Sequence, residues 1–384
     1  CQQAAAEAVD RHTRSLPEGA DVAVVVLEID SGAVRALIGS ADPADRRDGQ
    51  VNGATARRSP GSTLKPFVYA TAYEANRLCG DSRLMDEPIT LGGWSPQNFD
   101  RRYRGQVTAD EALRQSLNVP AITVARQIGL ERCAALMRAA GVDLAPDAEH
   151  RGGLATVVGG SEVTLLHLTN AYATLGRGGF FQPVRLFENQ RFKSKPVLSE
   201  RTCAALNEAL GSHHRTPHGL SIAPSWFMWK TGTSSRRRDA WAVGHNGRWA
   251  IGVWAGHFNG ASRGQYIGRL AAEPLLAALF SCKRFASDRS APKPVRWAVH
   301  SPLKANTPSD LTITHPTEGA TYRSLGGPFE LHPKVSGNRG EVLWFLNGRP
   351  IRPGRQTVRP GVGRHQLICR DAKARLDSVQ FVIR

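Results

Sequence analysis

Between residues 20 and 40 the chain carries two apolar runs, DVAVVVLEID and AVRALIGS, joined through Ser31-Gly32. Valine-rich runs of that length around a short turn predict a β-hairpin. The period then changes. In RRSPGSTLKPFVYATAYE, residues 57–74, charges and turn formers come first. Leu64, Phe67, Val68 and Ala72 then recur at helical spacing, which predicts a helix from Ser62 onward. Residues 107–118 and 120–141 predict two more helices, the second closed by Gly141. SEVTLLHLTNAYATL, residues 161–175, predicts a strongly apolar helix with capping hydroxyls at its start and Gly176, Gly178 and Gly179 after it.

Further along, WFMWKTGT predicts a strand, and AWAVGHNGRWAIGVWAG predicts a hairpin with Asn246-Gly247 as a type I′ turn. Residues 265–280 predict a last amphipathic helix. These elements assemble into an antiparallel sheet with helices packed on it, an α+β domain. Residues 285–308 are rich in Pro, Ser and basic side chains and predict a linker. Five short β runs follow: LTITHP, FELHPKV, EVLWFLNG, RHQLICRD and DSVQFVIR. Their spacing predicts a small all-β sandwich over residues 309–384. Trp344 and Phe345 are neighbours on one run, so one of them faces inward, and Trp344 is assigned to the core.

With 384 residues, 41% of them apolar and 22% charged, the chain reads as globular and holds more than one domain. Its net charge of +17 calls for an anionic partner or reflects an arginine-rich surface. The basic residues are spread along the chain, and RRR at 236–238 comes without a basic amphipathic helix or zinc-finger spacing. No nucleic-acid partner is expected on that basis. Cys1, Cys79, Cys133, Cys203, Cys282 and Cys369 form no CxxC pair and stand at no ligand spacing from histidine. Buried thiols and one or two disulfides both remain open. No metal centre and no cofactor are expected. No run of 18 apolar residues exists. The first residue, Cys1, suggests a fragment, with residues 1–19 the remnant of an upstream linker.

The chemistry starts at Ser62 and Lys65. A serine hydroxyl is a poor nucleophile until a base takes its proton. One helical turn brings Lys65 to the same face, and a lysine desolvated near other cations loses basicity enough to serve as that base. Ser62 at a helix start also aims backbone amides at a developing oxyanion. By itself the pair is equally an N-capping serine followed by a snorkelling lysine. Ser116-Leu117-Asn118 adds a second hydroxyl and an amide before Pro120, where a plain helix end would read the same way. Lys230-Thr231-Gly232-Thr233 adds a cation and two hydroxyls on a strand, with Gly232 bare where another chain must approach the backbone. The motifs S-x-x-K, S-x-N and K-T-G occur in that order, and the set matches serine acyl-transfer enzymes of the β-lactamase and penicillin-binding class.

With RRSPGSTLKPFVYATAYE, SPQNFDRRYRGQVTADEALRQSLNVPA, GGSEVTLLHLTNAYATLGRGG and KTGTSSRRRDAWAVG, the chain resembles the transpeptidase domain of class A penicillin-binding proteins over roughly residues 20–280, which implies such a domain at 20–284. WFLNG and GRHQLICRDAKAR resemble the C-terminal domain of the penicillin-binding protein 1C branch. The resemblance implies the penicillin-binding and serine β-lactamase-like fold, no cofactor, and a peptidoglycan D,D-transpeptidase. Ser62 would be acylated with release of D-Ala, Lys65 would be the base and Ser116 the proton shuttle. Asn118 would bind substrate or Lys65. Lys230, Thr231, Gly232 and Thr233 would bind the substrate's terminal carboxylate, with the amides of Ser62 and Thr233 as oxyanion hole.

The implied partners are stem peptides, glycan strands, β-lactams and other cell-wall synthesis proteins. The implied setting is the periplasmic face of a bacterial inner membrane, with an N-terminal anchor and a glycosyltransferase domain outside this chain. The stretch Arg238, Asp239 and Trp241 fits either a substrate role or a loop held by an ion pair. Gln97, Asn98 and Tyr103 match a family segment near the cleft. A D,D-carboxypeptidase, a β-lactamase on the same fold and a non-catalytic penicillin sensor are the alternatives. The β-lactamase reading lacks an E-x-x-L-N after Asn118.

Overall fold

The computed structural model describes residues 1–384 apart from 92–93, 219, 221–225, 289–296, 298, 300–302, 304–310, 324–328, 339, 353–356 and 373–375. The linker expected at 285–308 lies largely outside these described residues. The chain divides into two compact units, Cys1–Ser82 with Thr108–Leu303, and Arg83–Val107 with Lys304–Arg384.

The first unit is built on a five-stranded antiparallel sheet. Its strands are β1 (Asp21–Glu28), β2 (Val34–Ile38), β3 (Met228–Thr233), β4 (Asp239–His245) and β5 (Trp249–Gly256). They lie in the order β2-β1-β5-β4-β3, so β3 is an edge strand. Strand β1 is buried along nearly its whole length, which an antiparallel strand shows only when both sheet faces are covered. Val22, Val24 and Val26 face a core with Leu275, Leu276 and Leu279 of a late helix (Glu273–Ser281) and Ala5, Ala8 and Val9 of α1 (Gln2–Thr13). Ala23, Val25 and Leu27 point the other way. There the helix Leu165–Gly176 packs on β1 and β5. A Cβ at Gly252 of β5 would run into Thr169 of that helix, so the missing side chain sets the approach.

Local differences from the sequence reading have physical causes. The helix at Ser62 opens as a tight 3₁₀ turn, Gly61–Leu64, and becomes α2 (Lys65–Glu74) with Pro66 in its first turn. The two helices read at 107–141 are three: α3 (Ala109–Arg114), α4 (Asn118–Ile128) and α5 (Leu130–Ala140). Gly129, at φ +104°, breaks the second, and Gly141 closes the third in the left-handed region as expected. A Thr108–Glu111 capping box starts α3. The helix Leu165–Gly176 is α6, capped by the Thr164 hydroxyl. Glu200–Leu210 is α7 and Glu273–Ser281 is α8, which a π-turn over Gly268–Ala272 precedes. The β4–β5 turn is not type I′, because Gly247 alone takes a positive φ. The Asn246 side chain instead accepts the Arg248 and Trp249 amides. All six cysteines are free thiols. No helix among the described residues is long and apolar enough to cross a membrane.

The second unit is the small all-β part. A sheet carries Val342–Leu346, Gly363–Asp371 and Leu376–Ile383 in antiparallel register, and Thr312–His315 pairs with Lys334–Ser336. Leu311, Ile313, Leu367, Cys369, Val379, Phe381 and Ile383 share one core, and Trp344 packs against it. Residues 83–107, read from sequence as part of the first domain, group with this unit. Pro88, Ile89 and Tyr103 line a small cavity with Gln366, Ile368 and Asp377.

Candidate active site

The fold brings all three sequence motifs to one place in the first unit. Lys65, the first residue of α2, is fully buried. Its Nζ donates to the Ser116 carbonyl at 2.5 Å, to Asn118 Oδ1 at 2.6 Å and to Ser116 Oγ at 3.4 Å. Lys230 of β3 is also buried, and its Nζ donates to Ser116 Oγ at 2.8 Å and to the Thr231 carbonyl at 2.9 Å. One hydroxyl therefore bridges two amines from elements 165 positions apart in sequence. Ser62 is half-buried in the 3₁₀ turn, and its carbonyl accepts the Lys65 amide.

Two buried lysines around one hydroxyl each disfavour the other's ammonium form. The Lys230 amine is held well below the ordinary lysine range, first by burial, then by the charges of Lys65 and Arg215, with Glu273 opposing. Sequence reasoning missed the last two. Arg215 lies 3.7 Å from the Trp229 ring and donates to the Trp229 carbonyl, one residue before Lys230. Nothing in its loop marks it. Glu273 is a buried carboxylate in the first turn of α8, where an acid is an ordinary helix-start signal, and its oxygen accepts the His218 amide at 2.8 Å.

Ser116 reaches the amines through an unusual backbone. Helix α3 ends in a Schellman motif: the Ser116 amide bonds the Leu113 carbonyl and the Leu117 amide bonds the Ala112 carbonyl. The left-handed position of that motif, normally glycine, is Ser116 at φ +61°. The chain accepts this strain where a hydroxyl meets both lysines. Ser116→Gly will therefore be more stable than Ser116→Ala by about 1 kcal/mol, the reverse of the usual Ala-over-Gly order, in equilibrium urea unfolding. Equal stabilities would mean that the left-handed geometry costs nothing.

Glycines let the backbones close in. Gly61 has φ +55°, and a Cβ there would sit 2.5 Å from the Thr233 carbonyl oxygen and 2.6 Å from its nitrogen. Gly159 lies against Gly61, Gly232 against Pro60, and Gly268 against Gly232. Bare backbones thus bring the Ser62 turn against the end of β3, and Thr233 Oγ1 accepts the Gly268 amide at 3.0 Å. Thr231 and Thr233 are half-buried. As an edge strand, β3 turns alternate amides away from β4, toward anything that lies alongside.

Arg238 is exposed, and the other two members of its stretch are structural in their contacts. Asp239 pairs with Arg58 at 3.7 Å and accepts Trp254 Nε1 at 3.1 Å, and Trp241 is buried within the sheet. Asn98 is buried in the second unit, donating to both Asp86 oxygens at 2.8 Å.

Residues 22–257 match the family model described as the penicillin binding protein transpeptidase domain, and residues 302–381 match the Penicillin-Binding Protein C-terminus family. Penicillin-binding protein 1C of Escherichia coli strain K12 is 34% identical over 263 residues, covering 68% of this chain and 34% of that protein. Penicillin-binding protein 1F of Bacillus subtilis strain 168 is 30% identical over 265 residues, covering 62% and 35%. The chain thus spans about a third of the length of the curated relatives it matches. Among solved structures, PonA1 from Mycobacterium tuberculosis in complex with penicillin V superposes with a TM-score of 0.67 at 21% identity, over 79% of this chain and 88% of that one. Penicillin-binding protein 1A from Haemophilus influenzae gives 0.61 at 24% identity, over 75% and 52%. At these identities the structures show a shared fold.

Proposed function

The chain belongs to the penicillin-binding protein transpeptidase family, and from that premise we propose that it is a serine D,D-transpeptidase cross-linking peptidoglycan stem peptides through an acyl-enzyme on Ser62. The observation that carries this reading is the convergence of Lys65 and Lys230 on Ser116 Oγ beside the Ser62 turn.

Ser62 Oγ attacks the carbonyl of the penultimate D-Ala of a stem pentapeptide, and Lys65 takes the hydroxyl proton. The amides of Ser62 and Thr233 hold the oxyanion, each such donor contributing roughly 10²–10³ in rate. The tetrahedral intermediate collapses, and Ser116 passes a proton to the departing amine, so D-Ala leaves. The amine of a second stem peptide then attacks the Ser62 ester, forming the 4→3 amide and restoring the hydroxyl. Asn118 positions Lys65 through the 2.6 Å bond and holds the substrate backbone. Lys230, with Thr231 and Thr233, binds the substrate carboxylate, and Gly232 leaves β3 open to the peptide. A β-lactam is taken up in the same way, its strained amide standing for D-Ala-D-Ala.

The activity is assigned to the periplasmic face of the inner membrane. There stem peptides, glycan strands and other cell-wall synthesis proteins are the partners, and this chain is the transpeptidase part of a bifunctional glycosyltransferase–transpeptidase. The test supplies a D-Ala-D-Ala-terminated pentapeptide with a D-amino acid acceptor and follows both products by mass spectrometry. One D-Ala released per acceptor amide formed is the expected result. Release with hydrolysed tetrapeptide alone would make the chain a D,D-carboxypeptidase, and no release would remove the enzyme reading.

A further inference from the structure

Away from the lysine cluster, the end of α7 and the loop behind it gather two imidazoles on one carboxylate. Glu208 lies in the last turn of α7, and His213 and His214 follow it. His213 Nε2 stands 3.1 Å from one Glu208 oxygen, and His214 Nε2 stands 2.9 Å from the other. The ring centroids are 4.1 Å apart, and the three ligand atoms all lie within 4.8 Å of one another. We propose that Glu208, His213 and His214 bind one divalent transition-metal ion.

Bonds of 2.0–2.1 Å in tetrahedral geometry put neighbouring donors about 3.3 Å apart. The two carboxylate–imidazole separations are already near that value, and an ion between them draws the imidazoles together. The His213 ring is aimed by its neighbour. A Cβ at Gly211 would sit 2.5 Å from its Cε1 and 2.6 Å from its Nδ1. The ring therefore lies over a bare Cα with the Nδ1 edge inward and Nε2 toward Glu208. Binding leaves the ring proton on Nδ1 and gives the Nε2 lone pair to the metal. The helix end adds partial negative charge from its last carbonyls. Two imidazoles and one carboxylate suit zinc, nickel or copper rather than calcium or magnesium. The side chains keep 19–35% of their exposure, so an ion has a path in and a fourth position open to water.

Sequence spacing hid this group. Glu208 belongs to a helix and the histidines to the chain beyond it, so no helix-face or CxxC-like pattern connects them. The ion would staple the loop to α7 just before Arg215, the residue that stacks on Trp229 beside Lys230. The site stands whether or not the chain is a transpeptidase.

The test titrates the full chain, stripped with chelator, with zinc against a chromogenic competitor. The expected result is one equivalent of tight zinc, weakened at least about tenfold in Glu208→Gln and in each single histidine-to-alanine variant, and lost in His213→Ala/His214→Ala. Circular dichroism confirms that each variant folds. Cobalt reads the donor set on the unmutated chain, and tetrahedral d–d bands without thiolate charge transfer are expected. Absence of stoichiometric zinc would overturn the proposal. So would thiolate bands, or unchanged binding by the double variant, which keeps all six free cysteines.

Discussion

Ser62→Ala will abolish covalent capture of penicillin V. The parent chain is expected to gain the mass of one penicillin per molecule, and the variant none, a loss of at least about 10⁴-fold in acylation rate. The size follows from the chemistry: an acyl-enzyme needs an oxygen to carry the acyl group, and alanine offers none. The variant keeps its fold because Pro60 and Gly61 shape the turn, and Gly61 already lies against Thr233 with no room for a side chain. Two other serines lie nearby in space or sequence, Ser59 and Ser116. Ser59 Oγ is committed to the Gly159 carbonyl at 2.6 Å, and Ser116 Oγ to the Lys230 amine. An adduct of unchanged mass on the variant, mapped by peptide digestion to either residue, would move the nucleophile away from Ser62.

Much of this architecture was legible because it is local. Valine-rich β1, the strand ending in KTGT and the apolar run that becomes α6 each announce themselves by period and bounding turn residues. What escaped is set by tertiary geometry. The break between α4 and α5 reads as continuous helix because a single glycine inside a helical period is tolerated, and only the φ of +104° at Gly129 makes it a stop. The Asn246 turn was misread because its side chain, rather than its backbone angle, closes the loop. The grouping of residues 83–107 with the C-terminal strands brings Ile89 and Tyr103 to one cavity with Ile368, a meeting of segments more than 250 positions apart.

The candidate site divides in the same way. Ser62, Lys65, Ser116, Asn118 and Lys230 were legible as residue types at spacings that chemistry requires. Arg215, Glu273 and the glycines behind Gly61 were not, because they act by charge or by absence of volume. The sequence also gave no sign that Lys65 and Lys230 would share a single hydroxyl. That sharing turns three separate motifs into one electrostatic unit, in which removing either cation must be felt by the other.

Lys65→Met exploits this coupling and is expected to slow acylation of Ser62 by about 10²–10⁴-fold, the usual contribution of a positioned base. Methionine matches the buried stem of lysine but leaves the Ser116 carbonyl and Asn118 Oδ1 without this donor, at about 1–3 kcal/mol for each acceptor left unsatisfied. Thermal unfolding must therefore accompany the kinetics. The more telling readout is the pH profile of the residual rate. Lys230 serves a substrate carboxylate only when protonated, so its contribution to the rate is full below its pKa and is lost as pH rises through it. In the parent chain that fall lies well below the ordinary lysine value of about 10.4, because burial, Lys65 and Arg215 all disfavour the ammonium form. Deleting the Lys65 charge removes one of the depressing influences, so the alkaline limb of the variant must move to higher pH. Loss of a purely structural lysine would lower the rate without moving the limb. A limb that stays in place, or moves down, would mean that the two amines do not feel each other and that the convergence on Ser116 carries no electrostatic coupling.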